Sequence, residues 1–378
     1  MLLTNHLEIY TYLVSIVILY FIVLSCCNMF YLWHNTTLEI QSNGPKVSIL
    51  IPARNEEQNI ERCLMSLVKQ SYSKYELIVL DDNSTDSTAK IIKRLQAEYP
   101  KIKLLSGQPL ATGWHGKAFA MQQLLEAATG EYLLFVDADT VHHHDMLAFS
   151  VSNILEKKAD LMSGYTKHSM RNWGERLIVP TIYLMMAMVF PFFLIQKSKF
   201  ARNSFAIGMY MMYRKQALVD IGGFAAVKNE INEDIMMARI LKKHKKITTF
   251  IDAKSMVTTN MYNSFKAAYQ GISKNIFPAA DKNIFETILI VVLIFAIFLL
   301  PILLFTESVL VGAVNYILLL PIILMLFMWS LVMINRKHSA VYAFTYPIMM
   351  AVLLCITLTS TKKIAFGKGV LWKDRFVK

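Results

Sequence analysis

An α/β domain with a mainly parallel sheet, held between membrane-spanning segments, is the architecture this sequence predicts. Three observations carry it. The 378-residue chain is 55% hydrophobic and only 17% charged, a low charge content for a water-soluble protein. The apolar excess is concentrated in residues 8–33, 285–305, 309–334 and 340–360, each near or above the roughly 20 residues a helix needs to cross a bilayer. Between 34 and 283 the charge density is ordinary, and strand-like and helix-like patterns alternate four times, as in a parallel sheet covered by helices. The predicted organisation is an anchor over 1–35, the α/β domain over 36–283, transmembrane or re-entrant helices over 284–361 and a basic tail over 362–378.

The first apolar segment reads as a retained anchor. "YTYLVSIVILYFIVLSCCNMFYLW" is too long for the core of a secretory signal, no basic stretch precedes it and no small-x-small cleavage site is evident. "KVSILIP" (46–52) then reads as a buried strand closed by Pro52. In "EEQNIERCLMSLVKQ", Ile60, Cys63, Leu64, Leu67 and Val68 recur at helical spacing and form one buried stripe. "ELIVL" (76–80) is the second strand; "DDNSTDSTAKIIKRL" is a turn and then a helix capped near Asp86. "IKLL" (102–105) and "EYLLFV" (131–136) are the third and fourth strands, with the helix "KAFAMQQLLEAA" between them.

Parallel sheets bind ligands beyond the carboxyl ends of their strands. Three polar clusters fall there: "ARNEE" after the first strand, "DDNSTD" after the second and "DADT" after the fourth. In "DADT", Asp137 and Asp139 admit several readings. They hold a divalent cation against a phosphate, or act as nucleophile and acid of a D-x-D phosphatase, or close a buried strand as an ordinary polar turn. The phosphatase pattern usually opens on the D-x-D strand, whereas here three strand–helix units precede it. "GWHGK" (113–117) is too short for a P-loop. A diphosphate would be repelled by carboxylates alone, and a bridging Mg²⁺ or Mn²⁺ reverses the sign.

The net charge of +12 is concentrated in "KKHKK" (242–246) and the tail. Beside apolar segments this composition fits anionic lipid headgroups on a cytoplasmic face, and no basic face interleaved with aromatics suggests nucleic acid. Cys26, Cys27, Cys63 and Cys355 show no metal-ligand spacing and read as reduced packing residues.

The ordered set "ILIPARNEE", "IVLDDNSTDST", "GWHGKAFA", "FVDADT" and "NED" over residues 46–283 resembles the family 2 inverting glycosyltransferases, whose nucleotide-sugar-binding fold is called GT-A. With its anchor, "GWHGK" and "GKGVLWKDR", the chain is similar more narrowly to membrane glycosyltransferases of carotenoid and hopanoid pathways, and more distantly to ceramide glucosyltransferases. The resemblance implies sugar transfer from a nucleotide-sugar, a UDP-sugar, to a membrane lipid or isoprenoid, and the absence of the acceptor-stacking Trp of processive members argues for a single sugar. It implies that Pro52, Ala53, Arg54 and Glu56 border the nucleobase and ribose, that Asp81 and Asp82 contact uracil or ribose, and that Lys117 lies beside the nucleotide. Asp137 then faces the sugar or ribose and shares the metal site, Asp139 ligates Mg²⁺ or Mn²⁺, and Asp234 is the catalytic base with Glu233 beside it. The plain reading of Glu233 and Asp234 is a pair of acids favoured by a helix N-terminus. Processive members carry Q-x-x-R-W after the base; here Gln270 is present, but Lys274 and Asn275 stand where Arg and Trp belong, one residue late. Lys274 would meet the diphosphate as a point charge. A polysaccharide synthase is the alternative within the class, and a phosphatase or a non-catalytic nucleotide-binding membrane protein the alternatives outside it.

Residues 177–196 are nearly all apolar but separate the D-x-D from Asp234. Crossing the bilayer there would put the two on opposite sides, so the segment is expected to be a Pro-interrupted helix or helix pair (Pro180, Pro191) at the membrane surface or lining a groove. Gly222 and Gly223 read as a loop over the site or as a helix C-cap. A cell-membrane, multi-pass protein with a cytoplasmic catalytic domain follows, with one difficulty. Three spans after the domain would place the basic tail outside, against the positive-inside tendency, and the segment around Pro347 is the candidate re-entrant piece.

Overall fold

The structure, a computed structural model, describes residues 2–41, 43–262, 264–372 and 375–377. Met1 of the expected anchor and Lys373, Asp374 and Lys378 of the basic tail lie outside the described residues. The chain divides into two compact units. One comprises Tyr31–Ser169 and Phe192–Met261, and the other Met1–Phe30, Met170–Pro191 and Tyr262–Lys378.

The first unit is built on strands β1 (Val47–Ala53), β2 (Tyr75–Asp81), β3 (Ile102–Ser106), β4 (Tyr132–Val136), β5 (Thr140–His142), β6 (Leu161–Gly164), β7 (Lys167–His168), β8 (Tyr210–Arg214), β9 (Thr248–Ile251) and β10 (Val257–Thr259). Among the described residues the main sheet has seven strands, ordered β3-β2-β1-β4-β8-β6-β9, and β5-β10-β7 form a second, small sheet. The four strands expected from the sequence are present within a residue or so of their predicted ends, and they pair in parallel. β8 runs antiparallel between β4 and β6, so the sheet is mainly and not wholly parallel.

The continuous apolar runs of β1, β2 and β4 follow from burial on both faces. Alternate residues feed two layers. Ile49, Ile51, Leu77, Val79 and Leu134 meet the helices Ile60–Leu67 and Met146–Glu156. Leu50, Ile78, Leu80, Leu133 and Phe135 meet the helices Gly116–Ala127 and Glu233–Lys243. The parallel register puts Ala53 opposite Asp81, so the polar turns that follow β1 and β2 abut.

In the second unit and its leading helix, four helices among the described residues are long and apolar enough to cross a membrane: Asn5–Asn35, Ile284–Leu310, Tyr316–Asn335 and Ala340–Ala365. Their lengths follow the apolar segments of the sequence. Phe285, Leu289 and Leu310 are among the large apolar side chains left exposed along them, as a surface facing lipid requires. Polar side chains inside this unit tie together segments far apart in the chain. Tyr10 donates to the carbonyl of Ala296 (2.6 Å), and the Asn28 amide donates to the carbonyls of Ala187 (3.1 Å) and Phe190 (2.8 Å).

The 177–196 segment is a helix pair. Pro180 is accommodated inside the helix Trp173–Val189, the break comes at Phe190–Pro191, and a short helix Phe192–Lys197 follows. Neither is among the four long apolar helices. Pro347 lies in the first turn of the helix Tyr346–Ala365, where a missing N–H costs nothing. Beyond that helix the tail pairs Val370–Trp372 with Arg375–Val377.

Candidate active site

The turns after β1 and β2 are built from residues that tolerate left-handed backbone. Asn55 (φ 51°) and Asn83 (φ 53°) both occupy that region, which asparagine reaches more readily than most side chains. The two turns are then stitched together. Asn55 N–H donates to Ser84 Oγ (3.0 Å), Asn55 Oδ1 accepts from Thr85 N–H (2.8 Å), and Glu56 N–H donates to Thr88 Oγ1 (2.7 Å). Arg54 Nη1 donates to the carbonyls of Asp82 (2.7 Å) and Asn83 (2.9 Å). Asp86 accepts from Thr88 N–H (3.0 Å), Thr88 Oγ1 (2.6 Å) and Glu57 N–H (3.1 Å). These bonds to Asp86 depress its carboxyl against the opposing effect of burial. The helix cap expected near Asp86 is thus made by Asp86 itself, one residue before the formal N-cap Ser87. Asp81 presents one buried oxygen, Oδ1, with no hydrogen-bond partner, and Asp82 is buried beside it. Pro52 and Ala53, at the end of β1, floor this rim.

Across the sheet edge the chemistry changes. The "GWHGK" loop turns at Gly113, whose φ of +80° favours glycine. The loop is tied down by His115 N–H donating to the Lys228 carbonyl (2.7 Å). It delivers Lys117 into the first turn of the helix Gly116–Ala127, an unfavourable place for a cation next to a positive helix end. The compensation is local. Lys117 Nζ lies 2.9 Å from Asp137 Oδ1 and 3.1 Å from Glu233 Oε1. Desolvation opposes the ammonium, but Asp137, Glu233 and Asp234 together outweigh it and hold its pKa well above the usual lysine value.

Asp234 is the half-buried second residue of the helix Glu233–Lys243. Gly208 N–H donates to its Oδ2 (2.7 Å) and Ile235 N–H to its Oδ1 (2.8 Å). Desolvation first, then the neighbouring Glu233 charge, raise its carboxyl to about 6, while Lys117 and the two amides pull the other way. Gly208 is close by necessity. A Cβ there would lie 2.9 Å from Lys117 Nζ and 3.2 Å from Asp234 Oδ2.

The structure therefore brings Lys117, Asp137, Glu233 and Asp234 into one charged cluster, although about a hundred residues separate the D-x-D from the "NED". Gln270 and Lys274 lie on the helix Phe265–Ala279 of the other unit. Gly222 (φ +84°) terminates the short helix Lys215–Asp220 in left-handed geometry, and Gly223 packs against Gln122.

Residues 48–222 match the model of Glycosyl transferase family 2. The chain carries a family 2 glycosyl transferase domain. This assignment replaces the phosphatase reading of the D-x-D. The chain is 28% identical over 185 residues to Glycosyltransferase AglE of Haloferax volcanii, covering 48% of this chain and 57% of that protein. It is 26% identical over 240 residues to the 4,4'-diaponeurosporenoate glycosyltransferase of Staphylococcus haemolyticus (63% of this chain, 62% of that protein). A shorter stretch of 111 residues is 42% identical to the Beta-monoglucosyldiacylglycerol synthase of Nostoc sp. (29% of this chain, 23% of that protein). The chain thus spans less than two thirds of the length of each of these relatives. A solved mannosyltransferase, PcManGT from Pyrobaculum calidifontis in complex with GDP-Man and Mn²⁺, covers 93% of this chain and 99% of its own at a TM-score of 0.55 and 16% identity. At that identity the likeness is one of fold.

Among the described residues no group of three or more His, Cys, Asp and Glu side chains is gathered to cage a metal ion. Asp137 and Asp139 lie on one turn and carry hard oxygen donors of the type Mg²⁺ and Mn²⁺ take. The motifs did not single out Gly208, Thr140 or Asn260. Thr140 Oγ1 donates to the Asp137 carbonyl (2.6 Å) and pairs with His142 Nε2 (2.8 Å), which fixes the D-x-D turn from behind. Burial drives His142 down to about 3, so its ring is neutral. The only signal for Gly208 was a glycine immediately ahead of an apolar β run.

Proposed function

We propose that this chain transfers a single sugar from a nucleotide-sugar, a UDP-sugar, to a membrane lipid or isoprenoid, with inversion and with the help of a divalent cation. The observation that carries the reading is the Lys117 bridge. One ammonium touches a carboxylate of the D-x-D and the acidic pair that contains the base (2.9 and 3.1 Å), so donor and acceptor chemistry share one pocket. Relatives named as a monoglucosyldiacylglycerol synthase and a diaponeurosporenoate glycosyltransferase, together with four long apolar helices among the described residues, support a lipid acceptor and a multi-pass membrane location. A cytoplasmic catalytic domain follows from the location of nucleotide-sugars.

In this reading Asp81 and Asp82, with Pro52, Ala53, Arg54 and Glu56, receive the nucleoside, and the unpartnered Asp81 Oδ1 accepts a donor from base or ribose. Asp139 and Asp137 would hold Mg²⁺ or Mn²⁺, which neutralises diphosphate charge when bound. Asp234 takes the proton of the acceptor hydroxyl as that oxygen forms its bond to the anomeric carbon. The bond from that carbon to the diphosphate oxygen breaks with both electrons leaving on the diphosphate, so one displacement inverts the centre. A carboxyl raised to about 6 is ionised at neutral pH yet basic enough to receive a proton. The amides of Gly208 and Ile235 fix its two oxygens. Lys117 opposes the repulsion that Glu233 exerts on the Asp234 carboxylate. Gln270 and Lys274 are assigned to the donor side on the pattern of the motif alone, and the missing Trp after them favours one transfer over polymerisation.

The test incubates the purified chain in mixed-lipid membranes with labelled nucleotide-sugars and Mn²⁺, and identifies products by mass. A glycolipid one sugar heavier than its acceptor is expected from a UDP-sugar. Release of inorganic phosphate, or a polysaccharide product, would contradict the reading.

A further inference from the structure

The β5–β10 ribbon carries a polar side chain that the mechanism above does not use. β10 runs antiparallel to β5 with Thr259 opposite Thr140. One position further, Asn260 N–H donates to the carbonyl of Asp139 (3.0 Å), so Asn260 stands opposite Asp139. Residues directly opposite in an antiparallel ladder send their side chains to the same face, with Cβ atoms about 5 Å apart. The preceding pair faces the other way. Thr140 and Thr259 are fully buried, with hydroxyls engaged by the Asp137 carbonyl (2.6 Å) and Met209 Sδ (3.0 Å).

Asn260 is only 7% exposed, and neither its amide oxygen nor its amide nitrogen has a hydrogen-bond partner. A buried amide with both ends unmet is costly, and buried polar groups are otherwise almost always paired. The exception calls for a ligand. We propose that Asn260 supplies its amide oxygen as a third protein ligand, beside Asp139 and Asp137, to the divalent cation of the donor site. This rests on the assignment of Asp139 as a metal residue under the proposed function.

The chemistry favours this donor. No third His, Cys, Asp or Glu joins the two aspartates among the described residues, and Mg²⁺ and Mn²⁺ take neutral carbonyl oxygens alongside carboxylates. A neutral ligand also adds no charge to a pocket in which Asp137, Glu233 and Asp234 already surround one ammonium. The amide nitrogen is then left to donate to a diphosphate oxygen.

The test is Mn²⁺ binding to the purified full chain, followed by electron paramagnetic resonance with and without UDP, alongside thermal melting. Wild type is expected to bind Mn²⁺ more tightly with UDP present. Asn260→Ala should weaken that binding about tenfold or more with melting unchanged or raised, because the unpaired amide is gone. Asn260→Asp, which keeps an oxygen in place, should bind within a few-fold of wild type. Wild-type Mn²⁺ affinity in Asn260→Ala overturns the inference, as does equal weakening by a well-folded Asn260→Asp. Asp139→Asn separates this from the parent reading. If it loses Mn²⁺ while Asn260→Ala does not, only the role of Asn260 fails; if it binds as wild type does, the metal assignment itself fails.

Discussion

The two polar rims at the carboxyl edge of the sheet are built on opposite principles. The rim after β1 and β2 is closed on itself. Asn55, Ser84, Asp86 and Thr88 exchange hydrogen bonds of 2.6–3.1 Å. The rim after β4 is held by charge. Lys117 meets Asp137 and Glu233, Asp234 is forced toward its neutral form, and the amide of Asn260 is unmet. Turn bonds of this kind set a shape before any ligand arrives. A crowded charge cluster at a helix N-terminus is a local conflict, and such conflicts are where function is found. Under the proposed function the first rim is a mould for the nucleoside, and the second is the seat of the reaction.

If so, substitutions on the two rims should separate activity from stability. The largest effect is expected of Asp234→Asn. Losing the general base should lower the rate of transfer by a factor of about a hundred to ten thousand while nucleotide binding persists. The same variant should change how stability depends on pH. The carboxyl is raised from its ordinary 3.8 to about 6, so between those values the folded chain holds a proton that the unfolded chain has released. Acidification through that window stabilises the wild type, and stability falls as pH rises toward 6. Asp234→Asn should flatten that slope in pH-dependent thermal melts.

Next comes Lys117→Met. Removing the cation that lowers Asp234 should move the acidic limb of kcat/KM, expected near pH 6, to higher pH and cut neutral-pH activity at least tenfold. An unmoved limb would show that Lys117 does not govern the base. Gly208→Ala should be milder. Its new Cβ meets the far end of a flexible lysine at 2.9 Å and a carboxylate at 3.2 Å, so a several-fold fall in kcat with little change in melting is expected. The smallest effect on activity belongs to the other rim. Asp86→Ala removes three bonds to Thr88 and Glu57 and should cost about 1–2 kcal/mol of stability, read by denaturant unfolding, with turnover of the folded enzyme nearly intact.

The same contrast governs what the sequence revealed. The first four strands were legible because burial on both faces writes itself as runs such as "VSILI" and "YLLFV". The four long apolar helices were legible because each is written as one apolar run of about the length a bilayer crossing needs. β6, β8 and β9 were not foreseen. They are short, their partners lie far along the chain, and β8 runs against its neighbours, which no local period encodes. In the site, the acids announced themselves as motifs, yet their meeting at Lys117 depends on a chain reversal of over a hundred residues. Gly208 and Asn260 act through a backbone N–H and a ladder position, features with no signature in residue type.

The measurement that bears most directly on this account is the product balance of a single turnover. Wild type, supplied with a UDP-sugar, Mn²⁺ and lipid acceptor, should release one UDP for each glycolipid formed, and Asp234→Asn should form neither while still binding UDP. Undiminished glycolipid from Asp234→Asn, or phosphate in place of UDP from the wild type, would contradict it.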